Sequence, residues 1–350
     1  MTMKSKVIIL PALLALVSAA SCTKHDPFDE GILPASDTCP WILSKFTGTN
    51  VTDFQENNIT FFKSNTSHAK PQMYYDMLCH LPPDDTRAYY SYDDLKAAGL
   101  LDRAVPDGKG GYYRIPTAGE LMMIFPLRSD DYFMGILDFC ALENCSETIM
   151  ETAYLDNDDD STVKTDGRSV SGESSFFHAA DYPDSDPDFN PVFALRFKGT
   201  PQYAAYRYDM IKLKSEMVED GHGGEIDWSL WAIRLRAVRL SPESEVELGD
   251  IMNEEYFNSA EAIELVLPML TLMHSDYSGE QDRLYDNGYG NSGRLLSSTV
   301  EEMEGMNGKN ASSIAVFSLY GYAYTEMNDS YGTHMQYPVR LLKCNQDGTL

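Results

Sequence analysis

The chain has 350 residues, 43% of them apolar and 11% aromatic, enough to bury a core in one large or two modest domains. With 54 acidic against 27 basic residues its formal charge is -27, a surface that repels nucleic acid and anionic headgroups. Such a charge suits solubility outside a cell and is compatible with cation binding.

Lys4 and Lys6 precede an apolar run from Val7 to Ala20, too short and too interrupted by Pro11 for a comfortable membrane span. It ends in Ala19-Ala20-Ser21-Cys22, small residues leading directly into a cysteine. This layout looks like a bacterial lipobox, with residues 1–21 as signal peptide and lipid on Cys22. An ordinary secretory signal with an incidental cysteine is the alternative. The run Thr23 to Glu30, a basic residue followed by acidic ones, resembles the signal that sends Bacteroidota lipoproteins to the cell surface. The expected address is therefore the outer membrane, lipid-anchored and surface-exposed.

Residues 22–70 read as a tether and irregular lead-in, rich in Thr, Asn, Ser and Asp. Beyond Cys22 the cysteines are Cys39, Cys79, Cys140, Cys145 and Cys344, an odd number that leaves at least one thiol free or paired between chains. Ser91 to Gly99 predicts a compact helix, with Ser91 as N-cap, Asp93 and Asp94 on the dipole and Gly99 as C-cap. The stretch Tyr112 to Phe125 predicts a strand end feeding a second short helix. Pro116 biases Ile115 towards extended backbone. Thr117 and Glu120 have capping-box spacing, and Leu121, Ile124 and Phe125 form the apolar face ahead of Pro126.

The same run, with Arg114, Pro116, Thr117 and Glu120 as its fixed points, resembles the R-x-P-T-x-x-E-L signature of the Fibrobacter major-paralogous-domain family and its Bacteroidota surface and fimbrial-tip relatives. That resemblance implies an α+β, C-type-lectin-like fold shared with the sulfatase-modifying factors: short helices, twisted antiparallel sheets and long irregular loops. The chain's finish, from Leu267-Pro268 through Asp286 to Thr299 and on to Tyr337-Pro338-Val339-Arg340-Leu341-Leu342-Lys343, is similar to the family's closing motifs. It departs from them at Arg294-Leu295-Leu296, where an aromatic pair is usual. On this basis residues 71–350 form one domain with a sheet region at about 156–250 that is either inserted or partly duplicated; insertion is favoured, because the R-x-P-T-x-x-E-L helix occurs once.

Within that region Asp156, Asp158 and Asp160 alternate as in an EF-hand loop, but Ser161 stands where that loop needs Gly and Gly167 where it needs Glu. A solvated acidic loop is the favoured reading, with Ca²⁺ the alternative. Phe193, Leu195 and Phe197 alternate with Ala194, Arg196 and Lys198, predicting a half-buried strand, and Tyr203 to Tyr208 its hairpin partner. Ile233, Leu235 and Ala237 alternate with Arg234 and Arg236; the parity flip at Val238 and Leu240 predicts a bulge. The arginines are expected to pair with carboxylates on neighbouring strands.

No H-E-x-x-H, Walker A or G-x-S-x-G motif occurs, and the seven histidines are dispersed singly. The expectation is a non-enzymatic surface lipoprotein for adhesion or for binding a host protein or glycan. The runner-up is a structural or assembly subunit among fimbrial subunits. Tyr285, Tyr289, Arg294 and Tyr331 are the candidate ligand-binding residues, since tyrosine makes rigid amphipathic contacts and these lie in or beside glycine-rich C-terminal loops.

Overall fold

The computed structural model describes residues 40–46, 54–56, 59–61, 89–127 except 102, 107 and 109, 135–154, 169–182, 189–268 except 216, 220–224 and 228–229, and then 273–275, 282–284, 292–302, 309–319, 322–328 and 336–350. Among these residues strands far outweigh helices. The expectation of an α+β, C-type-lectin-like mixed fold is therefore corrected: the protein is mainly antiparallel β. The helices are α1 (Leu43–Phe46), α2 (Tyr92–Ala97), α3 (Ala118–Met122) and α4 (Leu248–Ile251), each a turn or two. Helices this short hold only through tertiary packing. Start signals in the sequence are followed at once by stops, as where Gly99 adopts φ 67° just after α2.

In chain order the strands begin with β1 (Phe54–Glu56), β2 (Ile59–Phe61), β3 (Tyr89–Ser91), β4 (Val105–Pro106) and β5 (Tyr112–Arg114). Next come β6 (Cys145–Tyr154), β7 (Ser169–His178), β8 (Val192–Lys198), β9 (Ala204–Lys214), β10 (Met217–Glu219), β11 (Glu225–Asp227), β12 (Leu230–Arg239) and β13 (Ile263–Pro268). The C-terminal strands are β14 (Met273–Ser275), β15 (Asp282–Leu284), β16 (Ser292–Glu302), β17 (Lys309–Leu319), β18 (Tyr322–Asn328), β19 (Gln336–Pro338) and β20 (Leu342–Cys344). The dominant sheet has six strands in the order β13-β12-β9-β8-β7-β6, a meander from which the β10–β11 ribbon projects. Smaller sheets are β15-β14-β19-β3, β16-β17-β18 and β20-β5-β4.

The period-two pattern sets both faces of the large sheet. Its inner face carries Phe176, Ala194, Tyr206, Tyr208, Ile233 and Leu235, which pack with α1, α3 and Leu342 into the main core. Its outer face carries Phe193, Leu195, Ala205 and Val238, covered by the connection between β12 and β13, which bears α4 and a 3-10 turn (Glu255–Asn258). A separate core gathers Leu95, Leu100, Tyr113, Ile115 and Leu341 around α2 and β5.

Two strand expectations change. β8 is buried on both faces rather than half-buried, because the outer connection covers it. Phe197 leaves the Phe193–Leu195 side and joins the inner core. The β7–β8 register slips between Glu173 and Ser175, and Phe197 sits at φ 60°. A Cβ on Gly172 would lie 2.8 Å from the Phe197 Cα, so the bulge needs a glycine opposite it. Ser174 Oγ accepts from the freed Phe197 N–H at 3.0 Å. Conversely, β12 has no bulge at Val238; its register slips between Leu230 and Trp231, at the other end. Val238 and Leu240 are simply outward residues made apolar by the cover above them.

Candidate functional site

The R-x-P-T-x-x-E-L run forms a buried joint. Arg114 donates Nη1 to Glu120 Oε2 at 2.7 Å and Nη2 to Oε1 at 2.6 Å, both side chains being almost wholly buried. Glu120 also accepts from the Thr117 N–H at 2.9 Å while Thr117 Oγ1 accepts from the Glu120 N–H at 3.2 Å, the reciprocal capping box expected from the spacing. Arg114 Nε reaches the Gly348 carbonyl at 2.7 Å, and the Pro116 carbonyl accepts from the Ser298 N–H at 2.8 Å. These residues tie the chain's end to its middle and leave no group open to a ligand.

Arg196 plays the matching part at the other end of α3. Its Nε and Nη2 grip Glu151 at 2.9 Å each, across the intervening β7. Nη2 and Nη1 also donate to the carbonyls of Met122 and Met123 at 2.7 and 2.8 Å, and Nη1 to Tyr208 Oη at 2.9 Å. A cation thus sits on the orphan carbonyls of a helix C-terminus. Burial alone would lower the guanidinium's pKa, but the Glu151 carboxylate together with the Tyr208 and Tyr206 hydroxyls outweighs it and raises it. The expected pairing of arginines with carboxylates holds here and on the outer face, where Arg207, Arg234 and Arg236 converge on Asp209 and Glu254.

Beside that outer cluster lies a cleft of about 210 Å³. Leu195 and Tyr203 form its floor, Val246 and Leu248 of the β12–β13 connection its overhang. Glu173, Lys198 and Glu247 stand exposed at the rim with Ser175 between. The Tyr203 side chain is fully buried, and its hydroxyl has no hydrogen-bond partner. Burial first, then the nearby Tyr256, Glu245 and Glu173, push its pKa up, so it remains a protonated donor. Glu254 holds the overhang down: it accepts from Arg236 Nη1 at 2.5 Å and pairs with Arg207, whose guanidinium lies against the neighbouring rings of Tyr182 and Phe193.

The residues singled out from the sequence are distributed differently. Arg114, Pro116, Thr117 and Glu120 meet as one joint. Cys22, Asp156, Asp158, Asp160, Tyr285, Tyr289 and Tyr331 lie outside the described residues, and Arg294 falls in β16, with its side chain outside the description. Among the described residues there is no group of three His, Cys, Asp or Glu fit to hold a metal, and no helix long and apolar enough to cross a membrane. Among the described residues Cys145 and Cys344 are free thiols.

The cleft was missed because its walls come from three distant segments; the one local signal was a tyrosine on a hairpin turn. One pairing invisible in sequence is Cys145 opposite His178 on β6 and β7. It is not an activated thiol. His178 spends its nitrogens on the Asp138 carbonyl and on Glu147 at 3.2 Å. Burial and the Glu147 and Asp138 carboxylates push the Cys145 pKa up, which keeps the thiol protonated.

Fold and cleft together define a mainly β protein built on a six-stranded antiparallel meander, with a strapped cleft on one face. The chain belongs to the family described as Domain of unknown function (DUF8237), whose model matches residues 46–342. No curated protein and no solved structure gives a match.

Proposed function

We propose that the protein is a non-enzymatic lipoprotein, anchored in the outer membrane through lipid on Cys22, that binds a ligand at the cell surface. The observation that carries the binding half is the outer-face cleft, where Leu195, Val246 and Leu248 meet the charged groups of Glu173, Lys198 and Glu247. A concave patch with apolar walls and a few polar groups around it is the default place for a ligand. The anchor half rests on the apolar run ending in Ala19-Ala20-Ser21-Cys22, and kinship with the major-paralogous-domain family on the Arg114–Glu120 motif. Calcium enters through Asp156, Asp158 and Asp160.

Protease shaving of intact cells tests the address: wild-type protein is degraded on the surface, and Cys22→Ala is released from the membrane fraction. Wild type retained inside shaved cells would overturn surface display. Binding of full-length protein to host-protein and glycan panels, with and without Tyr203→Phe, tests the cleft. A calcium-dependent rise in melting temperature, reversed by EDTA and lost in Asp158→Asn, supports the metal; no shift at millimolar calcium removes it.

The assembly reading has its own observation. Strand β6 ends the large sheet, and Met150 upon it and Leu142 just before it are 53% and 93% exposed. A sheet edge flanked by exposed apolar residues is a template for strand addition. Loss of the protein that shortens fimbriae while leaving adhesion intact would favour this reading over ligand binding.

A further inference from the structure

We infer that the protein pairs with a second copy of itself through β6, the two copies of this strand lying antiparallel about a two-fold axis through Thr148. This rests on the reading of β6 as a template for strand addition and names the strand that is added.

The two edges of the large sheet are unlike. β13 has six residues and ends in Pro268, which lacks the N–H a further strand would need. β6 has ten residues and keeps an unbroken register with β7, from Cys145 opposite His178 to Tyr154 opposite Ser169. Among the described residues no strand lies on its outer side. Sheet proteins blunt exposed edges with proline, lysine, a bulge or inward-pointing charges. β6 contains neither proline nor lysine and no bulge. Its inward charges are spent inside its own chain, Glu147 on His178 at 3.2 Å and Glu151 on Arg196 at 2.9 Å.

The side chains of β6 select the occupant. The outer face presents Ser146, Thr148 and Met150, all exposed and uncharged. On the inner face Ile149 packs against the main core between the two engaged glutamates. A strand laid alongside needs no counter-charge; it needs neutral residues outside and an apolar residue inside. β6 meets both conditions itself, and a two-fold pair uses one strand for both halves.

Like charge and exposure then pick the register. Residues opposite one another share a face, so the axis passes through a residue. Through Ile149 it would set Glu147 opposite Glu151 of the second copy, like charges face to face. Through Met150 it would centre the seam nearer Glu151 and Ala153, which are 3% and 1% exposed. Through Thr148 it sets Glu147 opposite Ile149, Met150 opposite Ser146, and the two copies of Thr148 opposite each other. Thr148 Oγ1 already shares a proton with Ser175 Oγ at 2.8 Å. Because a hydroxyl both donates and accepts, this bond extends across the seam as a row of four hydroxyls. Leu142, 93% exposed just before the strand, comes opposite the last residue of the second copy's β6.

The test is sedimentation of the full chain, purified in detergent, across protein concentration and salt. Dimer is expected to grow with concentration. Because each copy carries a formal charge of -27, it should grow further as salt screens their repulsion. Thr148→Lys and Thr148→Glu each place like charges opposite one another on the axis and should weaken the dimer about fivefold. Thr148 is exposed, so the melting temperature of the dilute protein should change little. Mixing the two variants should restore pairing, since lysine then faces glutamate. A residue with a purely structural role gives no such rescue.

A chain that stays monomeric up to about 100 μM in high salt overturns the inference, as does a dimer that neither variant weakens or that mixing fails to restore. Hydrogen exchange of the outward β6 amides separates the ways of failing. If the monomer's outward amides exchange freely, self-pairing falls and strand addition by a different chain survives. If they are protected at every dilution, the strand is covered within its own chain and the assembly reading falls as well.

Discussion

On the inner face of the six-stranded sheet, Arg196 has all its donors engaged, by Glu151, two α3 carbonyls and Tyr208. On the outer face, Arg236 leaves Nε and Tyr203 leaves its hydroxyl buried without a partner. Both faces are built from the same strands, and both bury arginines against carboxylates. On the inner face Arg196 spends its donors on the fold itself and fixes α3 to the sheet. The outer face stops short of closure, and the unfinished place is where the cleft lies. A buried ion pair is weak evidence of stability, but the degree to which its surroundings are satisfied separates a joint from a site.

Breaking the inner joint should have the largest effect. Arg196→Met leaves Glu151 charged in the core and uncaps α3, and should cost about 3–5 kcal/mol. Adding Glu151→Leu should recover most of that loss, because the pair rather than the arginine alone would then be replaced by apolar groups. Arg234→Met, at a side chain 30% exposed on the outer face, should cost under about 1 kcal/mol. Urea unfolding followed through Trp231 fluorescence reads all three. Equal losses at Arg196 and Arg234 would erase the distinction between the faces.

Gly172→Ala should come next, at about 2–4 kcal/mol, since its Cβ meets the Phe197 backbone rather than a yielding side chain. Thr117→Ala removes one half of the capping box at α3 and should cost about 1 kcal/mol. The same unfolding measurement checks both, and an unchanged midpoint for Gly172→Ala would show that the bulge is not required.

The outer latch should respond to acid. A hydrogen bond from Arg236, reinforced by the charges of Arg207, Arg236 and Arg234, holds Glu254 below its ordinary pKa of 4.5. A carboxylate so depressed stabilises the folded state fully above its unfolded value and loses that contribution as pH falls through the lower folded one. The β12–β13 connection should therefore become protease-sensitive below about pH 4.5, and Glu254→Gln should make it so at neutral pH. Because Glu254 is 41% exposed, solvent screening keeps the loss to about 1 kcal/mol or less. The smallest effect is of opposite sign, the stabilisation expected for Tyr203→Phe in the free protein.

What could be read in the sequence had partners close along the chain. Thr117 and Glu120 are three residues apart, and the capping box followed. Phe193 to Tyr208 is one hairpin around Gly199 and was found as such. The alternation of Ile233, Leu235 and Ala237 with the arginines placed β12 correctly on its two faces. The two short helices predicted from their caps are present, but the α+β class was implied by a resemblance resting on short motifs, and such motifs do not report how much of the remaining chain pairs into sheet. The bulge at Phe197 was missed because its cause, Gly172, sits on the preceding strand and is recognisable only when the two are paired.

By itself, then, the sequence determined the local elements: an apolar run ending in Cys22, a strongly acidic chain, capped turns of helix, and strands whose period fixed their buried sides. These depend on contacts within a few residues, which the order of side chains encodes directly. Tertiary structure decided that the strands dominate, that Arg196 closes a helix on another layer, and that Glu173, Lys198, Tyr203 and Glu247 share one cleft. Those outcomes depend on which distant segments pack together. Such packing turns on register, on a missing Cβ and on the cover over a sheet, none of which a linear pattern contains.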